Sequence, residues 1–342
     1  MRIDAVPFGS LTDRELDHWS MLQTGNERFR SPFFRPEYTQ AIAALQSGVR
    51  IGRLIEGDET VGFFPFQVLS PHIGGPVGGK RSNYHGVIAA ADVEWDRSLL
   101  LRGCGLHLWH FDHLLAEQQE FASCHLAVSG SPFLDLSGGF EAYERLRRAE
   151  GSNVCHRMRR QIHRLERDLG RLHFEAHVDD RDALHLLMRW KSAQYVRAGG
   201  RDKFADQALV ALLTSLHGTR SPAFAGMLSV LYAGGRPIAA HFGIRSRTDW
   251  HYWFPAYDPE IRAASPGLIL LFEMARSAPG LGMRTIDLGR GAEPYKARFA
   301  SSQVAIAQGT ATVPSFTAGF RRLRRTLAAV KRSFLIAGGR AG

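Results

Sequence analysis

Residues 250–299 constrain the fold more than any other stretch of this 342-residue chain. They read strand, loop, helix, strand, loop, short helix. Trp250-His-Tyr-Trp-Phe-Pro-Ala256 is aromatic-rich and bounded by turn residues, which predicts a buried strand. A loop over 257–264 follows, and Ser265-Pro266-Gly267 opens an apolar helix over 268–278. Ser suits the N-cap, and Pro suits the first helical position, where its missing N–H costs nothing. Gly280-Leu-Gly282 ends the helix. A second strand over 284–288 leads through Gly289-Arg290-Gly291 into a short helix with Tyr295, Lys296 and Phe299. A helix that starts directly after a buried strand presents unpaired N–H donors and a positive dipole end, which suits an anion.

Two segments share one plan. Residues 53–66 and 230–243 each read as an apolar strand, a Gly-containing polar turn and a second apolar strand, so each predicts a β-hairpin. A doubled architecture and a chance likeness between two common hairpins both fit. Further helices are predicted over 13–23, 36–44, 96–102, 183–195 and 206–216, and strands over 107–111, 172–176 and 303–313. Residues 140–169 predict one long basic helix or two broken at Gly151. Its arginines read either as a solvated linker face or as a basic wall for an anionic acceptor or nucleic acid. Gly74 to Gly79 reads as a loop at a sheet edge or as a close approach to phosphate, with no clear helix behind it.

Arg262-Ala-Ala-Ser265-Pro-Gly267 has the spacing of the R-x-x-G-x-G/A loop that holds the coenzyme A pyrophosphate in GNAT N-acetyltransferases. Ser265 stands at the first Gly position, and Pro266 removes one N–H. With Ala256-Tyr257-Asp258, Gly282, Ile286-Asp287-Leu288-Gly289, Tyr295-Lys296 and Trp190-Lys191-Ser-Ala-Gln194-Tyr195, the chain resembles the CelD-type "cellulose biosynthesis" acetyltransferases. These are double GNAT-fold bacterial proteins related to the Fem aminoacyltransferases. The resemblance implies an α/β (α+β) fold of two tandem GNAT-like acyl-CoA N-acyltransferase modules, with mixed central sheets flanked by helices. It divides the chain into a degenerate module over 1–136, a basic helical linker over 137–171, an acetyltransferase module over 172–315 and a basic amphipathic tail over 316–342. The two hairpins then fall at the second and third strands of each module.

Composition sets the wider limits. The apolar fraction fills two cores, and no apolar run reaches membrane-spanning length. The first residues lack the apolar region of a secretory signal, so the cytoplasm is the expected compartment. Cys104, Cys124 and Cys155 have no metal spacing and an odd count, which argues against a disulfide framework. The net charge of +10 draws polyanions: coenzyme A, a nucleotide sugar, tRNA or an anionic membrane face.

Acyl transfer needs a proton acceptor for the attacking group, a stabiliser of the oxyanion and a proton donor for the thiolate. The predicted catalytic residues are Asp287, His241 and Tyr295. Asp287, near a strand end, reads as a base or acceptor-orienting group, or as a cap of the next loop or partner of Arg290. His241 reads as a hydrogen-bonded structural histidine or as a cleft-facing base, and Tyr295 as an acid towards the thiolate. Acetyl-CoA or another acyl-CoA is the expected donor, held at Arg262, Ser265, Gly267 and Leu268. Lys191 and Tyr195, which share a helix face, with Tyr257, Asp258, Arg290 and Lys296, are the predicted substrate-binding residues. No metal motif and no nucleophile triad is evident.

Residues 320–336 predict an amphipathic basic helix, packed on the second module or laid on an anionic inner-membrane surface. Three functions follow. The first is an acyl-CoA-dependent N- or O-acyltransferase acting on a sugar or a polysaccharide or envelope precursor. The second is a Fem-like aminoacyl-tRNA-dependent transferase. The third is a non-catalytic GNAT-fold scaffold of a polysaccharide biosynthesis complex.

Overall fold

The computed structural model describes residues 1–313, so the basic stretch over 320–336 lies outside the described residues. The first half runs β1 (Arg2–Pro7), α1 (Asp13–Gly25), α2 (Pro36–Leu45), β2 (Val49–Glu56), β3 (Glu59–Ser70), β4 (Ile73–Gly75), β5 (Ile88–Ala89), α3 (Arg97–Gly103), β6 (Leu108–Leu115) and β7 (His125–Asp135). Two helices follow, α4 (Phe140–Ala149) and α5 (Val154–Leu169). The second half repeats the plan: β8 (Leu172–Glu175), α6 (Arg181–Arg197), α7 (Gln207–His217), β9 (Ala225–Ala233), β10 (Arg236–Arg245), β11 (Asp249–Tyr257), α8 (Pro266–Ser277), β12 (Thr285–Asp287), α9 (Pro294–Phe299) and β13 (Ser302–Thr312).

Local chemistry explains the boundaries. Thr12 and Glu15 close a capping box at the start of α1. Asp96 accepts the Leu99 N–H at the start of α3. Gly282, at φ 77°, stops the turn after α8. The basic segment resolves into two helices, parted at Gly151 (φ 78°). They are not a free-standing connector. Phe140, Tyr143, Val154, Met158 and Leu165 are buried in the second module's core, with most of the arginines on the outer face.

Twelve strands lie on one path, β1-β2-β3-β4-β6-β13-β7-β12-β11-β10-β9-β8, with β5 paired to β3. The order is palindromic about its centre, which realises the doubled plan. The named pairs are antiparallel except β4 with β6 and β11 with β12. The closing strand predicted over 303–313 is present as β13, but it does not close its own half. It lies between β6 and β7, while β7 pairs through Phe133, Leu134 and Asp135 with β12. Each half thus gives its last strand to the other. Nothing in the sequence pattern predicted β7 or this exchange.

The helix pairs α1/α2 and α6/α7 share one core, in which Phe33, Tyr38 and Ile42 meet the cluster of Leu209, Leu212 and Leu216. Two private cores lie elsewhere. One is under α8 and α5, and the other is around Phe64, Trp109 and Phe121. No helix among the described residues is long and apolar enough to cross a membrane.

The exchange makes the halves one cooperative unit, so a single calorimetric unfolding transition is expected. At Gly309, a Cβ would sit 2.1 Å from the Cys124 carbonyl and 2.7 Å from the Phe111 ring. Gly309→Ala is therefore expected to destabilise the whole chain by about 1–3 kcal/mol while keeping one transition. Two separate transitions, seen by tryptophan fluorescence and circular dichroism in urea, would contradict this account.

Candidate active site

The two parallel pairs are the sites where the sheet opens. In the second half, β11 and β12 share three rungs, Asp249–Thr285, Trp250–Ile286 and His251–Asp287. β11 then continues to Tyr257 with no further rung to β12, while the chain after Asp287 turns through Gly289. The strands part like a V. On its other side, β11 carries one extra residue between the Phe242–Phe254 and Ile244–His251 pairs, a β-bulge at the apex. In the first half, β4 and β6 share two rungs, and the chain re-enters at His85 to bridge Leu114. The first opening is thereby filled, and only a 3-10 turn, Gly79–Arg81, follows β4. Gly74 and Gly75 are buried in the sheet, so this glycine run is not a phosphate loop.

Around the second opening the sequence-selected residues separate into half-buried groups that keep reactive atoms and internal struts. Lys191, on α6, donates at 2.7 Å to the Pro255 carbonyl, on the part of β11 beyond its last rung with β12. Burial, then the nearby Lys203 charge, lowers its ammonium to about 8. Tyr195 lies beside it, its ring 5.4 Å from the Lys191 ammonium, and burial followed by Asp202 raises its phenol to about 12. Tyr295 packs edge-on against Tyr252 at 6.4 Å. Burial, then the Glu293 charge, pushes its phenol far above the usual value, so it stays protonated.

Other candidates are struts. His241 is fully buried, and its Nε2 accepts the Trp253 N–H at 3.1 Å, satisfying a donor at the bulge. Burial, then His251, depresses its pKa well below the ordinary histidine value. The ring thus acts as a strut of the bulge, with its Nε2 already engaged. Asp258 caps the next 3-10 turn through the Glu260 N–H (3.0 Å) and binds Arg236. Lys296 donates to the Gly289 and Arg290 carbonyls, both at 3.1 Å, and meets Glu293 at 3.0 Å, which pins the 289–291 loop. Arg290 does not pair with Asp287. It reaches the Asp112 carbonyl in the first half at 2.9 Å.

The start of α8 departs from a glycine-rich cradle. Ser265 adopts the left-handed conformation (φ 54°, ψ 48°) and makes no side-chain cap. Its carbonyl accepts the Leu268 and Ile269 N–H groups, at 3.0 and 3.3 Å. Pro266 has no N–H, so the donors of the first turn begin at Gly267. Half-buried Tyr257 packs 3.3 Å from where a Gly267 Cβ would be. Arg262 is exposed on the preceding turn. A groove of about 360 Å³ lies beside it, between this turn and α5, lined by Gln161, Arg164 and Ala264.

Sequence reasoning missed the polar clamp behind the opening. Asn83, from the first half, donates to His251 Nε2 at 2.6 Å, which leaves the ring proton on Nδ1, 3.4 Å from Asp287 Oδ1. Asp287 also accepts from Tyr84, from Ser131 at 3.2 Å and from the Gly289 N–H at 2.6 Å. Burial alone would raise its carboxyl, but His251, Tyr84 and the Gly289 N–H outweigh it and hold the pKa below the usual value. Asp287 therefore caps its loop, as one reading predicted, and ties the halves together. Asp249, two rungs away, is 3% exposed and bound by Thr285 and by Arg30 at 3.3 Å. Burial raises its carboxyl to about 7 despite Arg30.

His177, Asp179 and His217 bring possible ligand atoms within 4.8 Å of one another. They do not fit a metal. The Leu228 N–H donates to His177 Nδ1 at 3.2 Å, so the proton sits on Nε2, and Arg220 already pairs with Asp179.

Residues 152–297 match the family model described as the acetyltransferase (GNAT) domain, so the second half is an acyltransferase domain. No curated protein matches the chain. Among solved structures, FemX is similar at 10% identity and a TM-score of 0.59, over 92% of this chain and 99% of that one. The C-terminal domain of a protein assigned as a lysylphosphatidylglycerol synthetase from Agrobacterium fabrum is similar at 12% identity and a TM-score of 0.53, over 91% and 97%. At these identities the likeness establishes the fold.

Two outcomes test the local physics. Ser265→Gly is expected to stabilise the protein by roughly 1 kcal/mol, read from the urea midpoint, because glycine adopts the left-handed conformation freely. Asp249 keeps its proton in the folded state up to about pH 7, whereas the unfolded chain releases it near 3.8. Its contribution to stability is therefore complete below pH 3.8 and is lost as pH rises through 7, at about 1.4 kcal/mol per unit. The difference in unfolding free energy between the parent and Asp249→Asn should shrink over that window. A pH-independent difference would refute the assignment.

Proposed function

We propose that the protein is an acyl-CoA-dependent acyltransferase whose thioester enters the V between β11 and β12. The observation that carries this reading is the three-rung parallel pair that ends beneath a bulge while β11 runs on towards α8. Arg262, Arg164 and the Gly267 N–H supply the donors for a pyrophosphate on the α5 side of that helix start.

The acceptor nitrogen or oxygen attacks the thioester carbonyl carbon and surrenders a proton. The C–S bond then breaks, and the thiolate takes up a proton. Lys191, poised to titrate at about 8 beside the part of β11 beyond its last rung with β12, is the proton acceptor in this scheme. Tyr295, held protonated, is the donor to the thiolate. Asp287 and His251 act as positioning residues at the last rung. The acceptor we propose is a sugar or a polysaccharide or envelope precursor, on the strength of the CelD-type resemblance. A Fem-like use of aminoacyl-tRNA is the second reading, supported by the exposed arginines of α5 such as Arg160 and Arg164.

Calorimetric titration with acetyl-CoA tests the donor. Saturable binding is expected, weakened roughly tenfold by Arg262→Ala, the loss of one charge-assisted contact. With glucosamine as acceptor, Lys191→Met should cut thiol release by about 10²-fold or more without changing acetyl-CoA affinity, and should abolish the rise in rate near pH 8. A folded protein that does not bind acetyl-CoA would overturn the reading. Steeply salt-dependent tRNA binding would then favour the second.

A further inference from the structure

Behind the His251–Asp287 rung lies a cavity of about 370 Å³, at the small end of ligand pockets, built from both halves of the chain. Its walls include Tyr84 and Phe133 from the first half and Asp249, Asp287 and Gln303 from the second. When Asp249 is ionised, the charges in the cavity wall do not balance. Near the mouth, Glu117 lies 3.5 Å from Arg28, and Glu27 is tied to Arg284 at 2.8 Å. At its depth lie two buried carboxyls, of which only Asp249 is paired with a guanidinium. Arg30 stacks on Phe133 at 4.4 Å and reaches Asp249 Oδ1 at 3.3 Å. Asp287 is held by a neutral phenol, a hydroxyl and an N–H, with the His251 ring alongside. Asp249 Oδ2 is buried with no hydrogen-bond partner. A buried carboxylate oxygen without a partner is costly and calls for a donor.

We infer that this inter-module cavity binds a compact molecule through a primary ammonium group, which donates to Asp249 Oδ2 and supplies the missing positive charge. A neutral hydroxyl would satisfy the oxygen but leave the charge unbalanced, so the site discriminates by charge. Phe133, Leu115 and Val304 offer an apolar wall for the carbon frame. The charge argument stands apart from acyl transfer. Assigning the ammonium compound to the acceptor side of the reaction rests on that reading, because Asp287 both lines the cavity and closes the last rung of the V.

The proton competes with the ligand. Asp249 faces Arg30 and Glu27 from the first half, Thr285 and Asp287 from β12, and Tyr84. Burial dominates among these influences and keeps the carboxyl protonated below about pH 7. Ammonium binding requires the ionised form, so affinity is expected to fall about tenfold from pH 8 to pH 6.

Calorimetry with trans-4-aminocyclohexanol and its neutral counterpart trans-1,4-cyclohexanediol tests the site on the full chain. At pH 8, the amine should bind saturably and at least tenfold tighter than the diol, and Asp249→Asn should erase that preference. Equal affinity for the two compounds, or no saturable amine binding by the folded protein, overturns the proposal. If Asp249→Asn does not fold, the parent protein decides the matter, since amine affinity unchanged between pH 8 and pH 6 also overturns it. Titrating acetyl-CoA into the same preparation separates the two readings. Amine binding without acetyl-CoA binding removes acyl transfer and keeps the cation site, and the converse outcome removes the cation site alone.

Discussion

The exchange of β7 and β13 is the constraint on which the rest of the structure depends. A parallel strand pair that parts after two or three rungs leaves backbone donors and acceptors without partners, and it can persist only if its outer strand is fixed from the far side. Here β12 is fixed by β7, and β6 by β13, each supplied by the other half. The opening between β11 and β12 is therefore braced by residues of the first half, including Phe133 and Leu134. Neither half contains a complete support for its own parting strands.

The same geometry brings polar side chains of the two halves into one buried cluster. Asn83 and Tyr84 are neighbours in sequence and grip the two ends of the last rung, His251 and Asp287. Such a network is worth having only when nearly every member is satisfied, because a single orphaned group in a low-dielectric interior costs what the others contribute. Asp287 meets that standard, with four donors around it. Asp249 does not, since its Oδ2 has no partner, and burial raises its carboxyl to about 7.

Much of the second half was legible in the sequence because its signals are local. The aromatic run of β11, Pro266 at the start of α8 and Gly282 at the stop need no knowledge of distant residues. The i, i+4 spacing of Lys191 and Tyr195 likewise made them legible as neighbours on one helix face. The strand β7 was not found. Its run His125-Leu-Ala-Val-Ser-Gly-Ser-Pro132 mixes turn residues into a weak alternation, and it becomes a strand because β13 arrives beside it. Lys296 and His241 carry chemistry-bearing groups, but their fates are set by loop carbonyls and a bulge N–H that no spacing reveals. The clamp through Asn83 and His251 joins residues of different halves, and a single sequence holds no trace of that meeting.

The strand order also has a consequence for how the chain is made. Synthesis runs from the N-terminus, so β6 leaves the ribosome with one edge unpaired, and the strand that will cover it, β13, is the last strand to appear among the described residues. Leu115 waits for Ile306. Throughout the intervening translation the first half holds an open sheet edge, a surface that invites pairing with other chains. Completion of the fold is thus coupled to completion of the second half, and the nascent protein is exposed to aggregation for longer than two independent domains of the same size would be.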